Sequence, residues 1–109
     1  MGIFYIHTMI VRIVRMKFQA DKLDEFHQIF DQSKEKIRSF PGCLHLELHA
    51  DPTDDTVRYT YSHWQSQDDL NAYRHSELFG QVWPRTKALF DAKPMAHSLT
   101  LLEEVKAPD

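Results

Sequence analysis

Residues 59–83 hold the side chains best suited to gripping and deprotonating a flat aromatic molecule: Tyr59, Tyr61, His63, Trp64, Tyr73, His75, Phe79 and Trp83. If the segments after Trp64 are helices lying over a sheet, then Trp64, Tyr73, Phe79 and Trp83 line one apolar pocket. The plainer alternative is that they are core and interface aromatics. His63 and His75 are the candidate bases. An unperturbed imidazole titrates near pH ~6.5, so it accepts a phenolic proton at neutral pH. Each also suits a surface or hydrogen-bonded role, and strand alternation sets His63 opposite Trp64.

Other chemistry finds less support. In His45-x-Glu47-x-His49, two imidazoles four residues apart on a strand are separated by about 13 Å, too far to share one ion. An adjacent pair would need a further ligand from another strand to hold zinc. HExxH, CxxC, P-loop, GxGxxG and GxSxG patterns are all missing from the chain. Cys43 follows Pro41-Gly42 at a strand start and reads as a small buried residue. Arg12, Arg15 and Arg58 fall within strand-like runs, with Arg12 and Arg15 on opposite faces by parity. One of these arginines reaching a ligand or Glu47 stands beside the more ordinary reading of an exposed charge.

The elements that must position these groups follow from periodicity. Residues 9–18 (MIVRIVRMKF) are β-branched-rich and alternate, which predicts a first strand. Asp21 is placed to cap a helix, with Asp24 and Glu25 in its first turn. Leu23, Phe26, Phe30, Ser33, Ile37 and Phe40 form its apolar stripe, and Pro41-Gly42 ends it. Cys43–Ala50 alternates, with Leu44, Leu46 and Leu48 on one face and His45, Glu47 and His49 on the other. A turn at 51–55 leads into a strand at 56–64. Ser66 and Asp69 open a short helix near 67–74. A second helix is expected near 76–91, kinked or restarted at Pro84. The last strand is expected at 97–105, with a tail at 106–109.

The order β-α-β-β-α-β is the α+β, ferredoxin-like arrangement, with one antiparallel four-stranded sheet. It has apolar residues on both faces, so helices should cover one side and a second copy of the chain the other. A chain of 109 residues suits one domain, read as 9–105 after an extension at 1–8, with Met9 an alternative start. The composition, 42% hydrophobic and 27% charged, is that of a globular protein. The net charge of -3 is interleaved, without the basic stripe that nucleic acid needs. No run approaches the ~18 apolar residues of a membrane span. One cysteine precludes an intrachain disulfide and fits a cytoplasmic location.

Six short motifs, in this order and spacing, carry a resemblance. They are Lys22-Leu-Asp-Glu-Phe26, Phe40-Pro-Gly-Cys43, Leu46-Glu-Leu48, Tyr61-Ser-His-Trp64, Ser66-Gln-Asp-Asp-Leu70 and the stretch from His75-Ser-Glu to Phe79. Across residues 9–105 the chain resembles the antibiotic biosynthesis monooxygenases, dimeric α+β barrel proteins. The resemblance implies a homodimer whose sheets pack together, with a pocket between each sheet and its helices. It also implies oxidation of a small phenolic or quinol substrate by O2 without a cofactor. Trp64 matches the family's pocket tryptophan. The chain departs from the family pattern at Ser62, where an acidic residue is frequent, and at Tyr73 and Leu78, where histidines are usual. A haem-degrading branch uses an Asn and a helical His, whose positions here fall near Val14 and Trp83. The departures keep open a second reading, a protein of the same fold that binds a small aromatic ligand without turning it over.

Overall fold

The computed structural model describes residues 8–109. The reading of residues 1–8 as an extension therefore lies, but for Thr8, outside the described residues.

The elements are β1 (Ile10–Lys17), α1 (Leu23–Arg38), β2 (Cys43–Ala50), β3 (Val57–Trp64), α2 (Gln67–Arg74), α3 (Glu77–Lys87) and β4 (Met95–Thr100). The four strands form one antiparallel sheet in the order β2-β3-β1-β4. This is the expected ferredoxin-like α+β fold, with its second helical segment split in two.

Three boundaries differ from expectation, each for a local reason. Asp21 does not cap α1. A tight turn in which the Lys22 amide donates to the Gln19 carbonyl at 2.9 Å leaves Lys22 at the cap, with no side-chain bond. Asp24 and Glu25 in the first turn still complement the helix dipole. Pro84 neither splits nor ends α3, which runs through it to Lys87. The carbonyl that Pro84 cannot serve belongs to Gly80, an exposed residue whose carbonyl water can reach. The last strand is Met95–Thr100, not 97–105: Thr100 pairs with Ile10, where β1 itself begins, so the ladder runs out.

Two clusters make the core between sheet and helices. Met16 and Phe18 of the β1 end pack with Phe26 and Ile29 of α1 and with Leu89. Ile29 is absent from the expected stripe, and Phe40 lies beyond the helix end. The second cluster joins Cys43, Trp64 and Leu70, with Phe40 and Tyr73 against it. At Gly42 the backbone takes φ +89°, and its carbonyl accepts from the Gln65 amide at 2.8 Å. That turn delivers β2 beside the end of β3.

The ladder between β2 and β3 slips once. Cys43 pairs with Trp64 but His45 pairs with His63, so Leu44 is an extra residue. Strict alternation had put Cys43 on the face of His45; the bulge turns it into the helix-side core. Beyond the bulge, Leu46 and Leu48 face the helices and His45 and Glu47 the opposite side.

Candidate functional site

Between sheet and helices lies a cavity of about 330 Å³. Its floor is the helix side of the sheet: Arg12, Val14 and Met16 of β1, Leu46 of β2, and Thr60, Ser62 and Trp64 of β3. Its roof is Tyr73 and Arg74 of α2, and Phe79, Val82, Trp83 and Thr86 of α3, closed at one side by Phe26 and Phe30 of α1. The volume lies at the lower end of the ~300–1,000 Å³ usual for small-molecule sites, and the wall is mostly apolar, as such sites are.

The aromatics are ordered by contact. Trp64 is 1% exposed and stacks on Tyr73, with ring centres 4.8 Å apart. Tyr73 meets Phe79 edge-on, and Phe79 stacks on Trp83 at 5.7 Å. The Trp64 indole N–H donates to the Ser62 hydroxyl at 3.0 Å. That bond satisfies the one polar atom of a buried indole and fixes the ring against the cavity. α2 holds Tyr73 because Ser66 caps it, accepting from the Asp69 amide at 3.1 Å. Ser76 caps α3 in the same way, accepting from the Phe79 amide. Two caps in ten residues let the chain turn sharply at His75, so that Tyr73 and Phe79 face one space.

The five expected pocket residues, Ser62, Trp64, Tyr73, Phe79 and Trp83, all lie on this wall. The two expected bases do not. His63 is on the other face of the sheet, since it neighbours Trp64 on an alternating strand. There its ring sits 5.1 Å from His45 and 5.0 Å from Tyr61, and its Nε2 is buried with no hydrogen-bond partner among the described residues. Burial and the nearby His45 hold its pKa below the ordinary value, against the opposing pull of Glu47. His75 is exposed just past α2, with Nδ1 bonded to the Asn71 carbonyl at 2.8 Å.

Among the described residues, the ionisable groups on the cavity wall are Arg12, Tyr73 and Arg74. Burial, chiefly, pushes the Tyr73 phenol well above its usual range, so it stays protonated at neutral pH. Burial and then the neighbouring Arg74 lower the Arg12 guanidinium, which remains a cation. Burial likewise raises the Cys43 thiol, making it a poor nucleophile. Arg74 escaped sequence reasoning: as an ordinary polar residue on a helix, it gave no signal of the cavity. Among the described residues the wall carries no histidine, so these offer no imidazole as an axial donor to haem iron. Across the sheet, Glu47 sits between His45 and His49, with one carboxylate oxygen bonded to each imidazole. Among the described residues, no group of three or more His, Cys, Asp or Glu is placed to hold a metal ion.

The model of the antibiotic biosynthesis monooxygenase family matches residues 9–83, most of the chain. The chain belongs to that family. The match takes in β1 through Trp83, and so nearly all of the cavity wall. A proposed antibiotic biosynthesis monooxygenase from Caulobacter crescentus CB15 is 24% identical and superposes with a TM-score of 0.83, covering 92% of this chain and 95% of its own. A conserved protein from Methanosarcina mazei Go1 gives the same TM-score at 14% identity, covering 88% and 95%. One from Nitrosomonas europaea, likewise a proposed monooxygenase of this name, gives 0.81 at 16% identity, covering 86% and 90%. At these identities the likeness is one of fold. No curated protein matches the chain. Among the described residues of this family member, no helix is long and apolar enough to cross a membrane.

Proposed function

We propose that this monooxygenase-family protein oxidises a small phenolic or quinol aromatic with O2, without a cofactor, in the cavity around Trp64. The observation that carries the reading is the apolar, aromatic-walled cavity of about 330 Å³ in a chain of this family. In such chemistry the substrate supplies all four electrons that reduce O2. In an anthrone the ring CH2 becomes C=O, and in a hydroquinone a ring C–H becomes C–OH as the ring becomes a quinone; in each case one oxygen atom enters the substrate and the other leaves as water with two hydrogens. The protein's part is to orient the ring between stacked aromatics, keep bulk water out, and favour the electron-rich anion of the substrate.

The active form is a homodimer, in which a second copy covers the sheet face opposite the helices. That face presents Tyr61, His63 and His45, and the half-exposed Met95 and Leu99 of β4 stand at its edge.

Oxygen uptake tests the enzymatic reading. With a panel of hydroquinones and anthrones, turnover above the buffer rate is expected, and Trp83→Ala should reduce it at least tenfold by opening the wall. A folded protein with no turnover across the panel would leave the second reading, a non-catalytic aromatic-binding protein. One feature favours that alternative: among the described residues, the cavity wall offers no general base at neutral pH. It predicts thermal stabilisation by aromatic ligands with no product formed.

A further inference from the structure

Resting on the aromatic-cavity reading, we infer that the ligand is an aromatic acid, held as its anion with the negative group between Arg12 and Arg74. Arg12 rises from the sheet floor and Arg74 ends α2 in the roof, and both line the cavity. The charge of Arg74 is near enough to be felt by Arg12. Arg74 is exposed and Arg12 half-buried, which puts the pair at the mouth. The fully buried indole of Trp64 lies further in.

The charges of this pair are unanswered. Among the described residues, the acidic partners within 4.0 Å of a basic group are Asp54 on Lys17, Asp31 on Lys34, and Glu47 on His45 and His49. Neither cavity arginine has one. Arg12 donates instead to the hydroxyl of Ser98 at 2.9 Å, a neutral acceptor that leaves its charge in place. Among the described residues, no aspartate or glutamate lines the cavity. Two of its hydroxyls are already engaged: Ser62 accepts the Trp64 N–H, and Thr86 donates to the Val82 carbonyl at 2.9 Å.

Two like charges side by side at one end of an apolar space, one of them half-buried, carry a standing cost. A ligand anion removes that cost, and a neutral ligand does not, so the site discriminates by charge. The planar guanidinium fork suits a carboxylate, and it also accepts a phenolate oxygen.

The chain's two tryptophans both line the cavity, so intrinsic fluorescence reports on it directly. The test titrates the full chain at about pH 7.5 with 2-naphthoate, its neutral isostere 2-naphthamide, and a nitrophenol ionised at that pH. Naphthoate is expected to bind at least about tenfold tighter than the amide, with added salt weakening naphthoate alone. Arg74→Gln, at an exposed helix end, should bring the ratio toward one without loss of fold. Arg12→Gln should do the same, with circular dichroism confirming that the sheet is intact. A nitrophenolate as tight as naphthoate supports any aromatic anion; naphthoate binding alone supports a carboxylate. Saturable binding with the amide as tight as the acid overturns the charge inference and leaves the aromatic cavity standing. No saturable quenching by any probe overturns both.

Discussion

Trp64 and His63 are adjacent in sequence and have opposite fates. Trp64 is fully buried, hydrogen-bonded through Ser62 and stacked on Tyr73. His63 lies through the sheet from the cavity, among other rings. Ser62 stands where the family resemblance led one to expect an acid, and its hydroxyl accepts the indole N–H. Proton transfer from the cavity wall by either candidate histidine is therefore not to be expected. His63→Ala and His75→Ala should each leave probe affinity and any turnover within about twofold, measured by tryptophan quenching and oxygen uptake. A tenfold loss of turnover in His75→Ala, with affinity unchanged, would instead assign the base to that exposed imidazole.

At the scale of elements, the junctions decide the site more than the strands and helices do. The Gly42 turn, the Leu44 bulge and the two serine caps bring Cys43, Trp64 and Tyr73 together. Gly42 is the most constrained of these. Its φ of +89° disfavours any side chain, and a Cβ there would meet the Asp69 Cβ at 2.4 Å. Gly42→Ala should cost about 2–4 kcal/mol, from left-handed strain plus overpacking, read as a lowered urea midpoint. Adding Asp69→Gly, read against Asp69→Gly alone, should recover the overpacking part and leave the strain. Full recovery by the double variant would show that the backbone at 42 is not strained.

For the whole molecule, the sheet divides two kinds of chemistry: apolar and cationic on the helix side, imidazole and carboxylate on the other. Facing His63 are His45 and Glu47 from β2 and Tyr61 on its own strand, with Val11 paired to it from β1. Its pKa is depressed, so it contributes stability that is fully present above its unfolded value of ~6.5 and is lost as pH falls through the folded value. Glu47 and Asp54 are also depressed, by their hydrogen bonds to His45 and Thr56 respectively. The stability they contribute is present above the ordinary carboxylate range, near ~4, and is lost as pH falls below it. In the proposed dimer this face is the interface. Sedimentation equilibrium at micromolar concentration should show a dimer near pH ~7.5 that weakens severalfold by pH ~5.5. His63→Asn should flatten that dependence. A monomer at neutral pH would sink the dimer, and association unchanged between the two pH values would sink the histidine linkage.

The sequence by itself determined the fold order and the membership of the aromatic wall. Period-2 and period-3.6 patterns fix which side chains share a face, and Ser62, Trp64, Tyr73, Phe79 and Trp83 follow from those local rules. Parity alone also set His63 against Trp64, the feature that removes it from the cavity. Only the tertiary structure decided what completes the site. Arg74 shares the cavity wall with Arg12 because α2 packs back over the sheet, a juxtaposition of residues far apart in the chain that no periodicity encodes. The Leu44 bulge reassigns Cys43 because a one-residue slip inverts every face before it. Pro84 stays inside α3 because the carbonyl it abandons is exposed to water, and exposure is a property of the packed molecule rather than of the residue.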